Sequence, residues 1–406
     1  MNRPNLISET LAFQLVEDEI TLSKTIELPL SEALGQILRE DIIAEREAPP
    51  FDRVMMDGIA INTNDLSVGT NIFPISGIAR AGHPQEKLLP KQAIEVCTGA
   101  IVPQNANKII PYENLFITNN KAEIVTLNDE SFIHQRGSDF QKETILLRVG
   151  QRLNSPVIGL CASQGKAKVK VSKTPQIAII STGDELVDLE ERTLETYQIR
   201  RSNSYALSGE LHSWGFTKTK LIHLPDDKLI MSHEISNLLG QYDFLIFIGG
   251  ISKGAFDFLP AIFEENKIKK IFHQVAQKPG KPLFFGKGPQ GQLIFALPGN
   301  PVSALINLRR YIVPALLKQA GTTILDHYFV NVNEPLTSKK DFTQFIPATL
   351  ENSNGKFTAH PLRSNNSGDY HSLTHSHGFL LVNENNPQEA IPFYPWGQWN
   401  FYGPEF

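Results

Sequence analysis

Four apolar segments between residues 175 and 321 constrain the fold of this chain more than any other feature. They read QIAIIS, TKLIHL, DFLIFIG and QLIFAL, and they alternate with segments of helical spacing. Strands that are apolar on both faces and separated by helices are typical of a parallel sheet covered on both sides. Residues 175–323 are therefore predicted to form an α/β domain around a central parallel sheet. The helices predicted between the strands cover residues 203–214, 227–239, 258–267 and 301–320.

The segments on either side of this domain have a different pattern, in which Gly, Pro and Asn interrupt short apolar runs. That pattern is typical of small β-barrels and sandwiches. It predicts one small β-domain over residues 51–140 and a second, C-terminal one over residues 324–406. Residues 1–50 and 141–174 are predicted to form one discontinuous N-terminal domain, for linking or dimerisation, into which the first β-domain is inserted.

The predicted N-terminal domain begins with two helices. Ser8 is a suitable N-cap for a helix over residues 8–20, and Ser31 is one for a second short helix that would bury Leu34. Pro49 and the proline after it then exclude helical backbone. An extended link is therefore expected to lead into the first β-domain.

Composition and simple motifs exclude several classes of function. Of the 406 residues, 38 are Lys or Arg and 43 are Asp or Glu, so the formal net charge is −5. This charge provides no electrostatic basis for binding duplex nucleic acid or an anionic membrane. The chain contains no bilayer-spanning apolar run and no signal-peptide pattern at its N-terminus. We therefore expect a cytoplasmic protein that binds any anion through a local site.

Three glycine-rich turns follow predicted strands of the central sheet: TGDE, GGISKG and PGNPVS. Ligands of open parallel sheets bind beyond the carboxyl ends of the strands, and glycine-rich backbone before a helix suits phosphate. A tight turn alone would explain one such loop, but three at one sheet edge predict a phosphate site. The sequence does not contain the P-loop or dinucleotide-binding fingerprint. The residues expected to bind substrate are Thr182, Gly183, Gly249, Gly250, Ser252, Pro298, Gly299, Asn300, Pro301 and Ser303.

The stretch KPGKP places two lysines, Lys278 and Lys281, three residues apart. Its two prolines restrict the backbone, so both charges could be ordered before an oxyanion binds. A solvated basic turn is the alternative interpretation. Asp226 and Asp257 follow strand-end segments and offer the hard oxygen ligands that Mg²⁺ prefers, so they are predicted to bind the metal.

Other candidate groups point to ordinary structural roles. His371, His375 and His377 lie close together in the sequence, but no cysteine or supporting carboxylate motif accompanies them. They are interpreted as surface histidines rather than zinc ligands. Cys97 and Cys161 lie in apolar contexts and are interpreted as small core residues. The GxSxG motif of serine hydrolases is absent from the sequence.

Seven stretches, in order along nearly the whole chain, resemble the MoeA family of molybdopterin molybdenumtransferases, which includes the E domain of gephyrin. The resemblance implies the same four-part layout, with a molybdopterin-binding α/β domain at its centre. It implies insertion of molybdate into adenylylated molybdopterin by a homodimer, with Mg²⁺-dependent cleavage of the adenylate and release of AMP. A molybdopterin adenylyltransferase would be the upstream donor. The seven stretches are LSEALGQILREDIIAEREAPPFDRVMMDGIA, CTGAIVP, IISTGDELV, RRSNSYAL, FIGGISKGAFD, VAQKPGKPLFFG and FALPGNPVSALINL.

The resemblance also implies roles for individual residues. It assigns Mg²⁺ binding to Asp226 and Asp257. The residues that match the molybdate pocket are Lys278, Lys281, Ser303 and Ser367. The other acidic and polar positions of the family site, expected to be catalytic together with the two lysines, are Asp57, Thr98, Asp139 and Glu185.

The chain departs from the family pattern at three positions near this site. Ile248 stands where the family has a serine before the double glycine, Gln274 where it has a lysine, and Gln344 where it has an arginine. Fewer cations near the oxyanion leave open a second hypothesis, a pterin-binding or scaffold protein without turnover. A third is an enzyme for another nucleotide-linked substrate. Release of AMP from adenylylated molybdopterin would distinguish the first hypothesis from these two.

Overall fold

The computed structural model describes residues 6–66, 71–251, 258–322, 327–336, 338, 342–362, 368–384 and 390–397. The chain divides into two units. The smaller unit comprises Asp41–Arg148 and Gly159–Lys166, and the larger unit comprises Met1–Glu40, Val149–Ile158 and Ala167–Phe406. The four domain boundaries expected from the sequence stay predictions.

The larger unit begins with helix α1 (Glu9–Asp18), followed by strand β1 (Thr25–Pro29). Ser8 caps α1 as predicted, since its Oγ accepts a hydrogen bond from an N–H of the first turn at 3.2 Å. The second predicted helix is wrong, because only a single 3-10 turn forms at Leu30–Glu32. Ala33 caps that turn, and Gly35, with a φ of +79°, follows it. Beyond Gly35, Ile37 and Leu38 form isolated β-bridges with distant segments. Leu34 is consequently 65% exposed.

The smaller unit is built from β-strands, which confirms the predicted β-rich insertion. Its strands are β2 (Ile42–Ile43), β3 (Arg53–Val54), β4 (Gly58–Ile61), β5 (Ile72–Ala79), β6 (Ala93–Val96), β7 (Lys108–Pro111), β8 (Leu115–Thr118), β9 (Lys121–Ile124), β10 (Ile133–His134) and β11 (Ile145–Leu147). Six of them form one sheet in the order β7-β4-β6-β5-β9-β8. Strand β4 separates two cores, with Ala60 in one and Ile59 and Ile61 in the other. Position 58 must be glycine, because a side chain there would overlap the carbonyl of Ile110 on β7.

Helix α2 (Ser155–Ser163) and strand β12 (Lys168–Ser172) precede the central α/β part of the larger unit, and β12 pairs with β1. The strands of the central part are β13 (Ile177–Thr182), β14 (Leu186–Val187), β15 (Ile199–Arg200), β16 (Thr219–Leu224), β17 (Phe244–Ile248), β18 (Lys269–His273), β19 (Gln277–Lys278), β20 (Phe284–Lys287) and β21 (Leu293–Leu297). Its helices are α3 (Ser202–Ser213), α4 (Lys228–Leu239), α5 (Leu259–Glu265), α6 (Pro301–Asn307) and α7 (Val313–Ala320).

The central sheet has the order β16-β13-β17-β21-β20-β18. The four predicted strands β16, β13, β17 and β21 are parallel, as expected. Two strands that were not predicted extend one edge of this sheet. Strand β20 is antiparallel to β21, and β18 is antiparallel to β20. The turn between β20 and β21 is short, and a connection this short can join only antiparallel strands. Alternate residues of β13 enter cores on opposite faces: Ile177 and Ile179 pack with α1, α3 and α7, and Ala178 and Ile180 pack with α4 and α5.

Residues 301–320 form one continuous helix, as predicted, but its middle departs from α-helical geometry. A π-helical segment, Leu308–Ile312, joins α6 to α7. Pro314 follows it, and proline both lacks an N–H and crowds the carbonyl four residues earlier, which displaces the hydrogen-bond ladder. The π segment is buried all round, and it includes the consecutive residues Arg309 and Arg310.

The C-terminal part of the larger unit contains β22 (Tyr328–Val332), β23 (Thr343–Ser353), β24 (Lys356–Pro361), β25 (Gly378–Val382) and β26 (Ile391–Pro395), together with a short helix α8 (Tyr370–Thr374). Their sheet has the order β19-β23-β24-β22-β26-β25, and an additional pairing of β23 with β25 closes it into a small barrel. The predicted C-terminal β-domain is confirmed. Strand β19 joins the barrel by pairing Lys278 with Gln344 of β23.

Within the described residues, no helix has the length and apolar character needed to cross a membrane.

Glu9 and Arg310 form a buried ion pair between α1 and the long helix, with Arg310 Nε 2.6 Å from Glu9 Oε1. We expect Glu9→Ala to lower the free energy of unfolding of the larger unit by about 3–5 kcal/mol, because it leaves a buried guanidinium without its partner. Glu17→Ala is the matched control on the same helix. Glu17 pairs with Lys318 in an exposed position, where an ion pair contributes only ~0–1 kcal/mol.

Urea unfolding monitored by the fluorescence of the buried Trp214 measures both changes. Equal losses in the two variants would show that burial of the Glu9 pair has no special energetic role.

Candidate active site

The carboxyl ends of β13, β17 and β21 lie side by side, because these strands are parallel neighbours in the sheet. The predicted glycine-rich turns therefore meet at one sheet edge. Thr182 ends β13, and its Oγ1 lies 3.1 and 3.2 Å from the positions that side chains at Gly249 and Gly250 would occupy. Both glycines have positive φ angles, +92° and +65°. Ser252 and Asp257 lie outside the described residues.

The third turn, residues 298–300, is held by a side chain from α3. Asn203 donates from Nδ2 to the carbonyl of Gly299 at 2.7 Å, and Tyr370 OH donates to Asn203 Oδ1 at 2.8 Å. Pro301 begins α6, as predicted. Sequence reasoning assigned no role to Asn203 or Tyr370. Asn203 lies at the start of a helix that no glycine-rich turn precedes, and Tyr370 lies in a stretch without strand or helix periodicity.

A cleft of about 800 Å³ opens beside this third turn. The KPGKP turn forms one wall, the start of α6 forms a second, and the start of β23 forms a third. The structure thus brings together the predicted residues Lys278, Lys281 and Ser303, whereas Ser367 lies outside the described residues. The lining residues are Gln277, Lys278, Pro279, Gly280, Lys281, Pro282, Pro298, Gly299, Asn300, Val302, Ser303, Gln344, Phe345, Ile346, Pro347 and Leu362.

The cleft is electropositive. Two lysines and no carboxylate are among the described residues that line it. Lys278 and Lys281 are both exposed, and neither forms an ion pair with any residue that the structure describes. An anion that enters the cleft therefore meets two ammonium groups with no competing negative charge in the described lining.

The three departures from the expected family pattern lie in different surroundings. Gln344 lines the cleft, in register with Lys278. Ile248 is only 3% exposed and packs in the core beneath the sheet edge. Gln274 is outside the lining of the cleft. Of the three, Gln344 is the departure that changes the lining of the cleft.

Asp226, the predicted metal ligand, follows β16 and lies close to two other acids. Its N–H donates to Asp184 Oδ1 at 3.1 Å. Partial burial raises the pKa of Asp226, and the negative charges of Asp184 and Glu185 raise it further. The glycine at 183, with a φ of +133°, leaves room for the Glu185 carboxylate, which would overlap any side chain there. These three acids are not arranged to hold a metal ion by themselves, and neither is any other group of three or more His, Cys, Asp or Glu among the described residues.

Three further predicted site residues, Asp57, Thr98 and Asp139, lie in the smaller unit. Asp57 Oδ1 accepts a hydrogen bond from the Thr98 N–H at 2.6 Å, so these two residues are in direct contact. Asp139 instead contacts His134, with 2.8 Å between Asp139 Oδ1 and His134 Nε2. Sequence reasoning missed Tyr112, whose N–H donates to the carbonyl of Asp57 at 3.2 Å.

The residues interpreted as structural have the following surroundings. Cys161 is buried as predicted, but Cys97 is only partly buried. His371, His375 and His377 are all exposed. His377 Nδ1 accepts a hydrogen bond from a backbone N–H of β23 at 2.8 Å, so it supports the barrel.

Three family models match successive parts of the chain. They are the MoeA N-terminal region (domain I and II) over residues 7–165, a probable molybdopterin binding domain over 178–318, and the MoeA C-terminal region (domain IV) over 330–390. A Synechocystis protein named molybdopterin molybdenumtransferase is 36% identical over 402 residues, which cover 96% of this chain and 100% of that relative. The chain belongs to the MoeA family.

Two further MoeA relatives agree. A Bacillus subtilis molybdopterin molybdenumtransferase is 29% identical over 367 residues, covering 87% of this chain and 84% of the relative. The crystal structure of the molybdopterin biosynthesis MoeA protein from Pyrococcus horikoshii OT3 matches with a TM-score of 0.77 at 27% identity, covering 97% of this chain and 98% of that one. The MoeA resemblance and the fold class predicted from the sequence are confirmed, and the chain is an enzyme of the transferase class.

The raised pKa of Asp226 has a measurable consequence for stability. The folded state holds the Asp226 proton more tightly than the unfolded chain does, so ionisation of Asp226 opposes folding as the pH rises through its folded-state pKa. We expect Asp226→Asn to raise the Tm at pH 7, and this difference to vanish below pH ~3, where aspartate is protonated in both states.

Asp188→Asn is a control with the opposite sign. A hydrogen bond from Arg201 lowers the pKa of Asp188, so the ionised form stabilises the folded state above pH ~4 and loses that effect in acid. Calorimetry at pH 7 and at low pH should therefore show a lower Tm for Asp188→Asn at pH 7. A lower Tm for Asp226→Asn at pH 7 would contradict the destabilising role of its charge.

Proposed function

We propose that this chain inserts molybdate into adenylylated molybdopterin, with cleavage of the adenylate and release of AMP in molybdenum cofactor biosynthesis. The observation that carries the proposal is the electropositive cleft, in which Lys278 and Lys281 lie beside the third glycine-rich turn of the sheet edge. The names of the Synechocystis and Bacillus subtilis relatives support the transfer of molybdenum to molybdopterin.

Both substrates of this reaction are anions, so the protein must bring together groups that repel each other. Lys278 and Lys281 offset the negative charge of molybdate and of the phosphate groups beside it. Pro279 and Pro282 restrict the turn, so the two charges lose little freedom when the anion binds. The sulfurs that bind molybdenum belong to the pterin's dithiolene, so the reaction requires no protein cysteine.

The glycine-rich edge would bind the phosphate part of the pterin. Gly249 and Gly250 have positive φ angles, and the Thr182 hydroxyl lies next to them, so backbone N–H groups and a hydroxyl are grouped at this edge. Asn203 holds the third turn through Gly299, so this backbone is ordered before the substrate arrives. In this scheme the protein contributes to catalysis by positioning the two substrates and by offsetting their negative charge.

Acids that follow β16 and β13 would hold Mg²⁺. Asp226, with Asp184 beside it, offers the hard oxygen ligands that Mg²⁺ prefers. Burial and the charges of the neighbouring carboxylates raise the pKa of Asp226, and a cation there would offset the effect of those charges. Asp257, outside the described residues, is proposed as the second acid. When bound, Mg²⁺ would neutralise phosphate oxygens of the adenylate.

We also propose, from the family resemblance, that the enzyme is a homodimer supplied by a molybdopterin adenylyltransferase. Sedimentation velocity at micromolar protein tests the dimer, and a monomer there would contradict it. Asp57, Thr98, Asp139 and Glu185 are proposed as further catalytic residues.

Changes in the charge of the cleft should alter the use of molybdate. We expect Lys281→Ala to raise the KM for molybdate about tenfold or more, as for the loss of a charged hydrogen bond of ~1.5–3 kcal/mol. Gln344→Arg should lower the KM, because it adds a cation to the same cleft. Lys170→Ala, at an exposed lysine of β12 outside the cleft, is the control.

The measurement is the initial rate of AMP release against molybdate concentration, with saturating adenylylated molybdopterin and Mg²⁺. Four superimposed curves would show that molybdate does not bind in this cleft.

Gln344 gives the scaffold hypothesis its support, because it stands where the family has a cation. If the parent and every variant, including Gln344→Arg, bind the pterin but release no AMP, the scaffold hypothesis is favoured.

Asp226→Asn also tests the metal site. We expect it to lower Mg²⁺-dependent AMP release by about tenfold or more, because it removes a charged ligand near the reacting phosphate. Asp227→Asn is the matched control next to it. Asp227 caps α4, which asparagine does equally well, so its replacement should leave the rate unchanged. Equal rates at every Mg²⁺ concentration for the parent and Asp226→Asn would show that Asp226 does not bind the metal.

A further inference from the structure

A buried hydrogen-bonded network lies beneath the KPGKP turn. Gln277 Nε2 donates to the carbonyl of Gly280 at 2.9 Å and to Asn307 Oδ1 at 2.7 Å. Asn307 Nδ2 donates to the same Gly280 carbonyl at 3.2 Å, and Tyr311 OH donates to Gln277 Oε1. The three side chains have no exposed surface. Polar groups this deeply buried are costly unless they are paired, and in this network they are paired with one another.

The network fixes the backbone between the two lysines. Gly280 has a φ of +87°, and a side chain at this position would come within 2.7 Å of Asn307 Oδ1. The Gly280 carbonyl accepts two of the network's hydrogen bonds, and the carbonyl of Lys281 accepts a third bond, at 3.0 Å, from the N–H of Val275. The turn is therefore held from beneath, while the side chains of Lys278 and Lys281 remain exposed in the cleft.

The same helix supplies both the network and another wall of the cleft. Asn307 ends α6, and Tyr311 lies in the π segment that follows it. Ser303, which lines the cleft, is one helical turn before Asn307 and therefore on the same side of the helix. A shift of this helix would move Ser303 and the support of the lysine turn together.

We propose that Gln277, Asn307 and Tyr311 are positioning residues, which hold the KPGKP turn so that Lys278 and Lys281 both face the cleft and thereby set its affinity for the oxyanion. The identity of the oxyanion as molybdate rests on the proposed function. The physical reason is preorganisation, since charges that are already in place need no reordering when the anion binds. Burial raises the pKa of Tyr311 well above its ordinary value, so its hydroxyl stays a donor over the whole working pH range.

The test compares Gln277→Met and Asn307→Leu, which keep side-chain size but remove the hydrogen bonds, with Gln292→Met. Gln292 is also buried, but its Nε2 donates to the carbonyl of Leu239 at the opposite end of the central sheet. It is therefore a matched control for the general effect of losing a buried amide. Tyr311→Phe, which removes a single hydroxyl, remains informative if a larger change prevents folding.

Two measurements on the full chain are needed. Hydrogen exchange of residues 276–286 reports the order of the turn without any substrate, and equilibrium dialysis with sodium molybdate, together with AMP release, reports its use. For Gln277→Met and Asn307→Leu we expect faster exchange in this segment, and a KM for molybdate raised about tenfold with kcat changed less than twofold. For Gln292→Met we expect a lower Tm but unchanged exchange and KM.

If Gln277→Met and Asn307→Leu fold and keep the parent's exchange rate and molybdate affinity, the proposal is overturned. It is also overturned if the control, Gln292→Met, raises the KM for molybdate as much as they do. If the parent itself neither binds molybdate nor releases AMP, the proposed function fails. The exchange measurement still decides in that case whether the network orders the turn.

Discussion

Two consecutive arginines in the middle of a buried helix hold the larger unit together. Arg310 pairs with Glu9 of α1 at 2.6 Å. Arg309 donates from Nε to the carbonyl of Pro395 on β26 at 2.9 Å, and it lies 3.6 Å from Glu210 of α3. A guanidinium cannot shed its charge in a protein, so each buried arginine requires partners nearby. One helix thereby connects the N-terminal helix, the central domain and the barrel.

The surroundings of Arg309 show how such a charge becomes tolerable. Its guanidinium lies 4.4 Å from the ring of Trp214, which in turn donates from Nε1 to Glu210 at 2.9 Å. Burial raises the pKa of Glu210, whereas the N–H of Gly397 and the charge of Arg309 favour its ionised form. Arg309, Trp214 and Glu210 each have a partner within this group, so their contacts fix the position of the helix that carries Arg309. The cleft benefits directly, since the first turns of that helix form one of its walls.

Local patterns predicted the parts of the fold that local chemistry determines. Three of the four parallel strands, β13, β17 and β21, follow from nearly continuous apolar runs, and the glycine-rich turns after them follow from residue types that tolerate positive φ. The false helix after Ser31 and the unforeseen strands β18 and β20 show the limit of this reasoning, because pairing with distant segments decides their conformation.

The same limit applies to the candidate site. The lysines and Ser303 were predicted to share a pocket, and they line one cleft. Gln277, by contrast, stands in a polar stretch of the sequence, and its burial depends on Asn307, 30 residues further along the chain. Asn203 and Tyr370 likewise meet only in the folded molecule. Side chains whose partners lie far away in the sequence leave no periodic signal.

The ion pair between Glu9 and Arg310 also dictates an order of events during synthesis. The two residues are 301 positions apart in the chain. At ~5–20 residues per second, the arginine is made roughly 15–60 s after the glutamate. The six-stranded sheet of the smaller unit lies wholly within that interval and can form before the arginine exists. Helix α1 is therefore made long before the arginine that pairs with its glutamate, so its apolar face can be bound by chaperones until that arginine has been made.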